Sequence, residues 1–407
     1  MTAIAERTRH AAGRAERIRV FLILGALSAI GPLSIDMYLP ALPKLTRDLA
    51  AGPSLVQLTL TACMIGLAAG QVIAGPISDM WGRRRPMFVG IAIYTVASLA
   101  CVVAPNVELL VALRLIQGVA GAACIVISRA VVRDMHDGPA AARFFSLLML
   151  VNGIAPVAAP VIGAQVLRFT SWRGVFGVLA LLGVLMTVSM LGLRETLPPA
   201  ERHTGGLRAA VRTFRELSVD RIFMGYALAG GFAFAAMFAY ISGSPYVVQN
   251  IYGLSPQNYS LIFAVNSLGI VAFGQASGLL VGRVRPITLL RAGLLVSLAG
   301  GVLLLLAVLG GLGLPGVLPA LFLVVSAIGL TLPNSTALAL TGRPANVAGS
   351  ASALFGLLQY VVGAVAAPLV GLAGSHSATP MAIVIAASAA VGILLLMGLT
   401  RAHHPAG

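Results

Sequence analysis

A few ionisable side chains lie inside stretches of the chain that are otherwise apolar. Asp36 falls within residues 18–42, and Arg114 and Arg129 fall within residues 108–132. A carboxylate at the centre of a membrane segment costs roughly 2.5–3.5 kcal/mol to insert, and it marks a functional site by default. Because loss of water favours the neutral carboxyl, Asp36 is predicted to take up and release a proton near neutral pH. Arg114 is equally costly and is predicted to need a partner.

The depths of Asp36 and Arg114 agree. Asp36 precedes Lys44 by eight residues, or about 12 Å along a helix, and Arg114 lies about 10 Å from the start of its own segment. They are therefore predicted to share one level of a central cavity, where Arg114 would favour the ionised carboxyl and make proton release depend on conformation. A purely structural buried pair is the alternative.

A second charged pattern reads Gly-Pro-Ile-Ser-Asp-Met-Trp-Gly-Arg-Arg-Arg-Pro over residues 75–86. Its two glycines are predicted to allow a close helix approach and a tight turn. Its aspartate and first arginine are predicted to form charge pairs that hold two halves of the molecule shut at one end and break when these move apart. With partners at the end of the segment 108–132, the predicted gating residues are Gly75, Asp79, Gly82, Arg83, Arg133 and Asp134.

Composition limits the class of protein that can carry these residues. Of 407 residues, 58% are hydrophobic and only 10% are charged, whereas a soluble domain carries about 25% charged residues. The apolar content also excludes a disordered chain. The net charge of +15 records membrane orientation in so apolar a chain, and no nucleic-acid partner is expected. The three cysteines lie in apolar runs and are predicted to be packing residues rather than disulfide or metal sites.

Apolar runs predict twelve membrane spans. They fall near residues 18–42, 54–78, 87–106, 108–132, 142–167, 173–193, 221–247, 257–281, 286–311, 316–341, 345–372 and 379–400. With the N-terminus inside, the inner segments hold 21 basic residues and the outer segments hold four. This asymmetry predicts that both termini are cytoplasmic.

The longest polar stretch, residues 194–220, divides the spans into two groups of six. The predicted organisation is therefore a cytoplasmic tail, a six-helix half, a basic linker, a second six-helix half and a second tail. Their bounds are 1–17, 18–193, 194–220, 221–400 and 401–407. Two six-helix halves around a midplane site are typical of a large class of secondary transporters. The predicted fold class is an all-α polytopic membrane protein.

Several of these strings resemble one known family. The loop 75–86 resembles the loop signature of the major facilitator superfamily. The strings 32–43, 114–118, 129–134 and 243–246 resemble its Bcr/CflA group of twelve-helix drug–proton antiporters, which includes bicyclomycin and chloramphenicol exporters. The resemblance covers nearly the whole chain. It implies the major facilitator fold and efflux of small, largely apolar drugs by alternating access.

The resemblance also covers span five. Antiporters of the superfamily carry a proline-rich pattern there, and residues 152–163 include Pro156 and Pro160, which are added to the predicted gating residues. The residue before Pro156 is alanine, whereas the general pattern of the superfamily has glycine there. Alanine at this position fits the narrower Bcr/CflA group. Some related exporters have a second carboxylate two turns before the aspartate of span one. Here that position is Ser28, so Asp36 is predicted to be the sole membrane carboxylate.

Substrate contacts are predicted from pocket chemistry, which combines apolar walls with a few polar groups. The second half is rich in aromatic and amide side chains on spans seven, eight and eleven, and span one, span four and span five add further polar groups. The predicted substrate-binding residues are Tyr38, Gln117, Asn152, Met237, Tyr240, Asn266 and Gln359.

The leading functional hypothesis is a proton-driven drug exporter of the bacterial inner membrane. It needs no cofactor, and its expected partners are a small-molecule drug, protons and the lipid bilayer, with the protein monomeric. A transporter of a physiological metabolite, such as an amino-acid derivative or a sugar, is the alternative. An enzyme is not expected, because all six histidines fall in tails or connectors and no membrane cluster of histidine, cysteine and acid exists. A channel is not expected either, because the sequence has no charged ring or filter-like repeat.

Overall fold

The computed structural model describes residues 19–135, 138–193, 195–199, 202, 206–341, 343, 345–374 and 376–400. The regular structure of these ranges is helical. The helices are α1 (Arg19–Ser28), α2 (Ile30–Asp36), α3 (Leu42–Asp48), α4 (Pro53–Trp81), α5 (Arg84–Val102), α6 (Val107–Met135), α7 (Gly138–Phe169), α8 (Trp172–Met190), α9 (Gly206–Val219), α10 (Arg221–Tyr246), α11 (Pro256–Leu280), α12 (Pro286–Leu309), α13 (Gly313–Ser326), α14 (Ile328–Leu340), α15 (Ala345–Val370) and α16 (Thr379–Thr400).

The described helices account for the predicted membrane spans. Eleven are long and apolar enough to cross a membrane when α13 and α14 are taken as one. The bent pair Arg19–Ser28 and Ile30–Asp48, with an angle of 40°, raises the number to twelve. The predicted all-α polytopic fold class is therefore confirmed, and the span boundaries differ from the predicted ones by a few residues.

The stretch predicted as a connector, residues 194–220, contains an additional helix. In α9, Leu217 is buried and Phe214 is half-buried against α10 and α15, whereas Arg212 and Arg215 are exposed. Apolar residues three positions apart share one face of a helix, so this segment packs on the bundle with its charges outward. The prediction of a plain basic linker missed this face.

Glycines bring α4 and α6 into close contact. A Cβ atom added to Gly118 would collide with the backbone carbonyl of Cys63, and one added to Gly66 would collide with that of Leu115. Such close approach of backbones is how membrane helices gain packing energy without a hydrophobic driving force. The first half is therefore built on a tightly packed α4–α6 pair.

Span one is irregular immediately after Asp36. The helix α2 ends at Asp36, and a short 3-10 helix over Leu39–Ala41 leads into α3. Pro40 has no N–H with which to continue the helical hydrogen bonds to the carbonyl of Asp36. The carboxylate thus lies where the helical ladder is interrupted.

The bundle has two distinguishable ends. One carries Arg83, Arg84 and Arg85 at the start of α5, and Arg283 and Arg285 before α12, and is called the arginine-rich end. The other carries the loops before α4, α6 and α8 and is called the opposite end. The first half comprises α1 to α8, and the second comprises α10 to α16.

Candidate functional site

A cavity of about 830 Å³ lies between the two halves. Its walls are mostly apolar and aromatic, and a few polar groups face into it. The apolar residues include Ile35, Ile125, Phe234, Phe238, Phe263 and Ile328, and the polar or charged ones include Asp36, Gln71, Arg129, Tyr240, Gln359 and Tyr360. An apolar chamber with a few converging polar groups is the usual form of a small-molecule site.

The cavity is closed at the opposite end of the bundle. Six hydrogen bonds of the described residues join the halves there. They are Thr46 Oγ1 with Tyr246 Oη (2.8 Å), Ser54 Oγ to Pro368 O (2.6 Å), Gln57 Nε2 to Ser242 O (3.0 Å), Thr61 Oγ1 to Ala364 O (2.9 Å), Gln249 Nε2 to Pro40 O (3.1 Å) and Gln257 Nε2 to Ala164 O (2.9 Å).

The lining continues toward the other end. Arg129, Thr336 and Ser352 line the cavity within a few residues of the arginine-rich ends of α6, α14 and α15. Arg129 and Ser352 are exposed. The cavity therefore opens toward the arginine-rich end.

Asp36 faces this cavity from the end of α2. Its side chain is 6% exposed and lines the chamber. None of the ion pairs among the described residues includes it. It is thus an almost dehydrated carboxylate without an ionic partner, and its free oxygens can accept a proton or a ligand donor.

Arg114 does not pair with Asp36, which corrects the expected charge pair. The Arg114 guanidinium donates to the carbonyl of Ser34 at 2.8 Å and to Oε1 of Gln117, and it lies 4.6 Å from the ring centroid of Tyr38. Phe176 lies on it at 5.6 Å. Equal depth along two helices does not fix the direction in which a side chain points, and Arg114 points into the first half.

The predicted substrate residues separate into two groups. Asn152, Met237, Tyr240 and Gln359 line the cavity. Asn266 lies behind the wall and donates from Nδ2 to Tyr240 Oη at 3.0 Å.

Tyr38 and Gln117 are not part of the cavity lining and are fully buried. Tyr38 Oη hydrogen-bonds Thr59 at 2.8 Å, and Gln117 Nε2 donates to Ser98 Oγ at 2.7 Å. In this structure they surround Arg114, which corrects their expected contact with substrate.

The wall also contains polar residues that were not among the predicted site residues. They are Ser28, Gln71, Arg129, Ser267, Thr336, Ser352 and Tyr360. The charge of Arg129 inside an apolar span was a signal that could have identified it, because arginine in such a position faces a cavity or a partner. Gln71 gave a weaker signal of the same kind.

A compact ionic cluster lies at the arginine-rich end. Arg83 pairs with Asp79 at 2.5 Å and with Asp134 at 2.8 Å, and its Nη1 donates to Ser78 Oγ at 2.9 Å. These groups all belong to the first half. The predicted Arg83–Asp79 and Arg83–Asp134 pairs are present, but in this structure they tie one half internally and do not join it to the other.

Glu195 is a member of this cluster that the sequence reasoning missed. Burial of the carboxyl opposes its charge, but hydrogen bonds from the backbone N–H groups of Arg83, Leu197, Arg84 and Thr196 outweigh this effect and lower the pKa of Glu195. Thr196 and Leu197 follow Glu195 directly, but Arg83 and Arg84 lie more than 100 residues before it, so no local pattern placed Glu195 in this cluster.

The remaining predicted gating residues are placed as follows. Gly82 has φ 87°, a left-handed conformation that suits a tight turn. A Cβ added to Gly75 would find its nearest neighbour 4.0 Å away, so the close approach expected there is absent. Pro156 and Pro160 lie inside the continuous helix α7, and Pro156 lines the cavity. The side chain of Arg133 lies outside the described residues.

Known proteins resemble this chain over nearly its whole length. The family model of the Major Facilitator Superfamily matches residues 22–368. A Bacillus subtilis protein named uncharacterized MFS-type transporter YdgK is 41% identical, over 95% of this chain and 96% of its own. A Haemophilus influenzae protein named bicyclomycin resistance protein homolog is 30% identical, over 93% and 95%. The crystal structure of a D-xylose-proton symporter has a similar fold, with a TM-score of 0.74, 15% identity and coverage of 94% and 97%.

Proposed function

The chain belongs to the Major Facilitator Superfamily, and we propose that within this family it is a proton-coupled exporter of small, largely apolar drugs. The observation that carries the proposal is Asp36, an unpaired and nearly dehydrated carboxylate in a mostly apolar cavity between two halves. A relative named for bicyclomycin resistance supports drugs as the substrate class.

In this proposal Asp36 is the proton site and the cavity is the substrate site. Asp36 takes a proton from the outer side, which favours release of drug and return of the carrier. It loses that proton to the cytoplasm as the next drug molecule binds. Exchange is coupled only if drug binds with different strength to the two forms of the protein, since equal affinity would shift nothing.

Arg114 has a positioning role in this proposal. It binds the carbonyl of Ser34, one of the last carbonyls of α2, which helix ends otherwise leave unsatisfied. Arg114 therefore holds the interrupted part of span one that presents Asp36 to the cavity. The charge of Asp36 would then depend on conformation through its position and not through a direct ion pair.

Gating follows from the two ends of the bundle. The hydrogen bonds that close the opposite end, such as Gln57 with Ser242, must break when the carrier turns outward. The Arg83 cluster keeps the arginine-rich end of the first half rigid as that end moves, and the prolines of α7 give this helix a deformable point beside the cavity.

The proposal includes a location and an orientation. The protein is a multi-pass membrane protein, and we place it in the bacterial inner membrane, where it acts as a monomer without a cofactor. In this orientation the arginine-rich end and both termini face the cytoplasm, and the excess of basic residues in these segments supports it. The cavity then opens to the cytoplasm and receives drug from that side.

A metabolite transporter is the second candidate. Gln71, Asn152 and Gln359 face the cavity, and their amides could hydrogen-bond a sugar or an amino-acid derivative. A substrate profile separates the two candidates, because a metabolite site binds its polar substrate in preference to apolar drugs.

The proposal is tested in inside-out vesicles with an acid interior. We expect the wild-type protein to accumulate chloramphenicol against its gradient and a protonophore to abolish the accumulation. The exposed carboxylate of Glu108 provides a matched control, because Glu108→Gln should leave uptake unchanged. Uptake that equals that of protein-free vesicles, or that ignores the proton gradient, contradicts the proposal.

A further inference from the structure

Arg129 is an unpaired cation in the wall of the cavity. It lies on α6, about 9 Å from the arginine-rich end of that helix, and its side chain is exposed. It makes no hydrogen bond or ion pair with any described residue. An arginine without a partner inside a membrane span is costly unless water or a ligand meets it. Arg129 lines the chamber between the halves, which can supply that water or ligand.

The described lining of the cavity contains one acidic and one basic side chain. Among the described residues that line the cavity, Asp36 and Arg129 are the formally charged side chains, and the other polar groups are amides, hydroxyls and phenols. With Asp36 ionised the chamber is neutral, and with Asp36 protonated it carries one positive charge. Low-dielectric walls focus the field of these charges into the chamber, so the charges influence which occupant binds.

We propose that Arg129 is a specificity-determining residue that disfavours permanently cationic molecules and selects neutral or anionic occupants with a hydrogen-bond acceptor. This inference rests on the proposed function only in taking the cavity as the substrate site. A unit charge about 8 Å from Arg129 at an effective dielectric constant of about 20 changes affinity by roughly thirtyfold. Repulsion of this size is enough to separate neutral drugs from lipophilic cations of equal size.

The selection also fits proton exchange. A neutral drug that replaces the Asp36 proton leaves the chamber without net charge, because Arg129 balances the carboxylate. A cationic drug would leave it with one excess positive charge beside Arg129. The Arg129 guanidinium thus favours exchange of one neutral drug molecule for one proton, because this exchange leaves the chamber without net charge.

Two ions of nearly equal size and opposite charge test this inference: tetraphenylphosphonium and tetraphenylborate. Their dissociation constants are measured by equilibrium dialysis with the purified full chain in detergent at pH 8. The roughly thirtyfold effects of Arg129 on the two ions act in opposite directions and multiply in the ratio, and water around the exposed guanidinium reduces their product. We therefore expect the ratio of the phosphonium constant to the borate constant to fall by at least about tenfold in Arg129→Gln. It should rise in Asp36→Asn and stay within about threefold of wild type in Arg129→Lys.

Two further variants keep the test decisive. Arg283→Gln removes an exposed arginine outside the cavity and should leave the ratio unchanged. If Arg129→Gln does not fold, Ser352→Glu adds a carboxylate to the cavity wall and should lower the ratio in the same direction.

A fall of less than about threefold in the ratio, or failure of both ions to bind the wild-type protein, overturns the inference. Dialysis measures binding without a proton gradient, whereas the proposed function is tested by gradient-driven uptake of chloramphenicol. The inference about Arg129 can therefore fail while the proposed function still holds.

Discussion

Arg114 donates a hydrogen bond to the backbone carbonyl of Ser34 at 2.8 Å, two residues before Asp36. The guanidinium is fully buried beneath Tyr38 and Phe176. A buried cation here neutralises no carboxylate but fixes the last turn of a helix that stops at Asp36. The charges of Asp36 and Arg114 are therefore linked through backbone geometry.

Replacing Arg114 tests this linkage. Arg114→Ala leaves the Ser34 carbonyl and the Gln117 amide without their partner, and each lost bond to a charged donor costs roughly 1.5–3 kcal/mol. We expect transport to fall more than protein abundance, and the pH at which drug-dependent proton release is half-maximal to shift. Arg114→Lys should restore part of both.

A matched arginine serves as the control. Arg173 lies 4.2 Å from the ring centroid of Trp172 and donates to the carbonyl of Ala104 at 3.0 Å, so it makes similar contacts away from the cavity. Arg173→Ala should reduce abundance without moving the pH of proton release. Equal losses of transport and abundance in the Arg114 variant, with no pH shift, would favour a purely structural role.

The direction in which the cavity opens predicts chemical accessibility. The three cysteines of the chain are buried, so the background of thiol labelling is low. Ser352→Cys, on the exposed cavity wall, should react with a membrane-impermeant maleimide in inside-out vesicles and far more slowly in right-side-out vesicles. Ser242→Cys, at a buried position near the closed end, should react in neither. Faster labelling of Ser352→Cys in right-side-out vesicles would contradict the orientation.

The contact between α4 and α6 predicts a strong effect of one methyl group. Gly118→Ala forces a Cβ against the carbonyl of Cys63, and overpacking of this kind costs about 1–3 kcal/mol. Thermal stability in detergent should fall. Gly177, in α8, has no atom within 4 Å of an added Cβ, so Gly177→Ala should be neutral or stabilising by up to about 1 kcal/mol. Equal effects of the two changes would refute the close contact.

The Glu195 cluster predicts a pH dependence of stability. The pKa of Glu195 is lowered by backbone hydrogen bonds, so the folded protein binds this proton less readily than the unfolded chain. Its stabilising contribution is complete above the unfolded pKa of about 4.3 and is lost as the pH falls through the lower folded value. Glu195→Gln should weaken this loss between neutral pH and pH 3.5, measured as the change of melting temperature. The exposed Glu108→Gln should melt like wild type throughout.

Much of the fold followed from sequence because it depends on local composition. Runs of about 20 apolar residues must be helical in a bilayer, since every backbone group has to be satisfied internally. The same reasoning placed Asp36 in a span and at a cavity. The amphipathic helix α9 was missed because its apolar face consists of few residues within a polar stretch.

The site was predictable only in part, for geometric reasons. Depth along a helix follows from residue number, but rotation about its axis depends on neighbouring helices. The side chains of Asp36 and Arg114 therefore lie at matching depths, but Asp36 faces the cavity and Arg114 points into the first half. Arg83 and Arg84, which donate to Glu195, lie more than 100 residues before it, and no spacing rule connects them. Arg129 carried a readable signal, yet only the structure shows that it faces the same chamber as Asp36.

Drug-dependent proton release from the purified protein tests the central claim most directly. In weakly buffered detergent solution, addition of chloramphenicol to the wild-type protein should release protons, because drug binding favours ionised Asp36. Asp36→Asn should bind the drug and release none. If Asp36→Asn keeps wild-type proton release, or still drives full gradient-dependent efflux of this neutral drug, Asp36 is not the proton carrier.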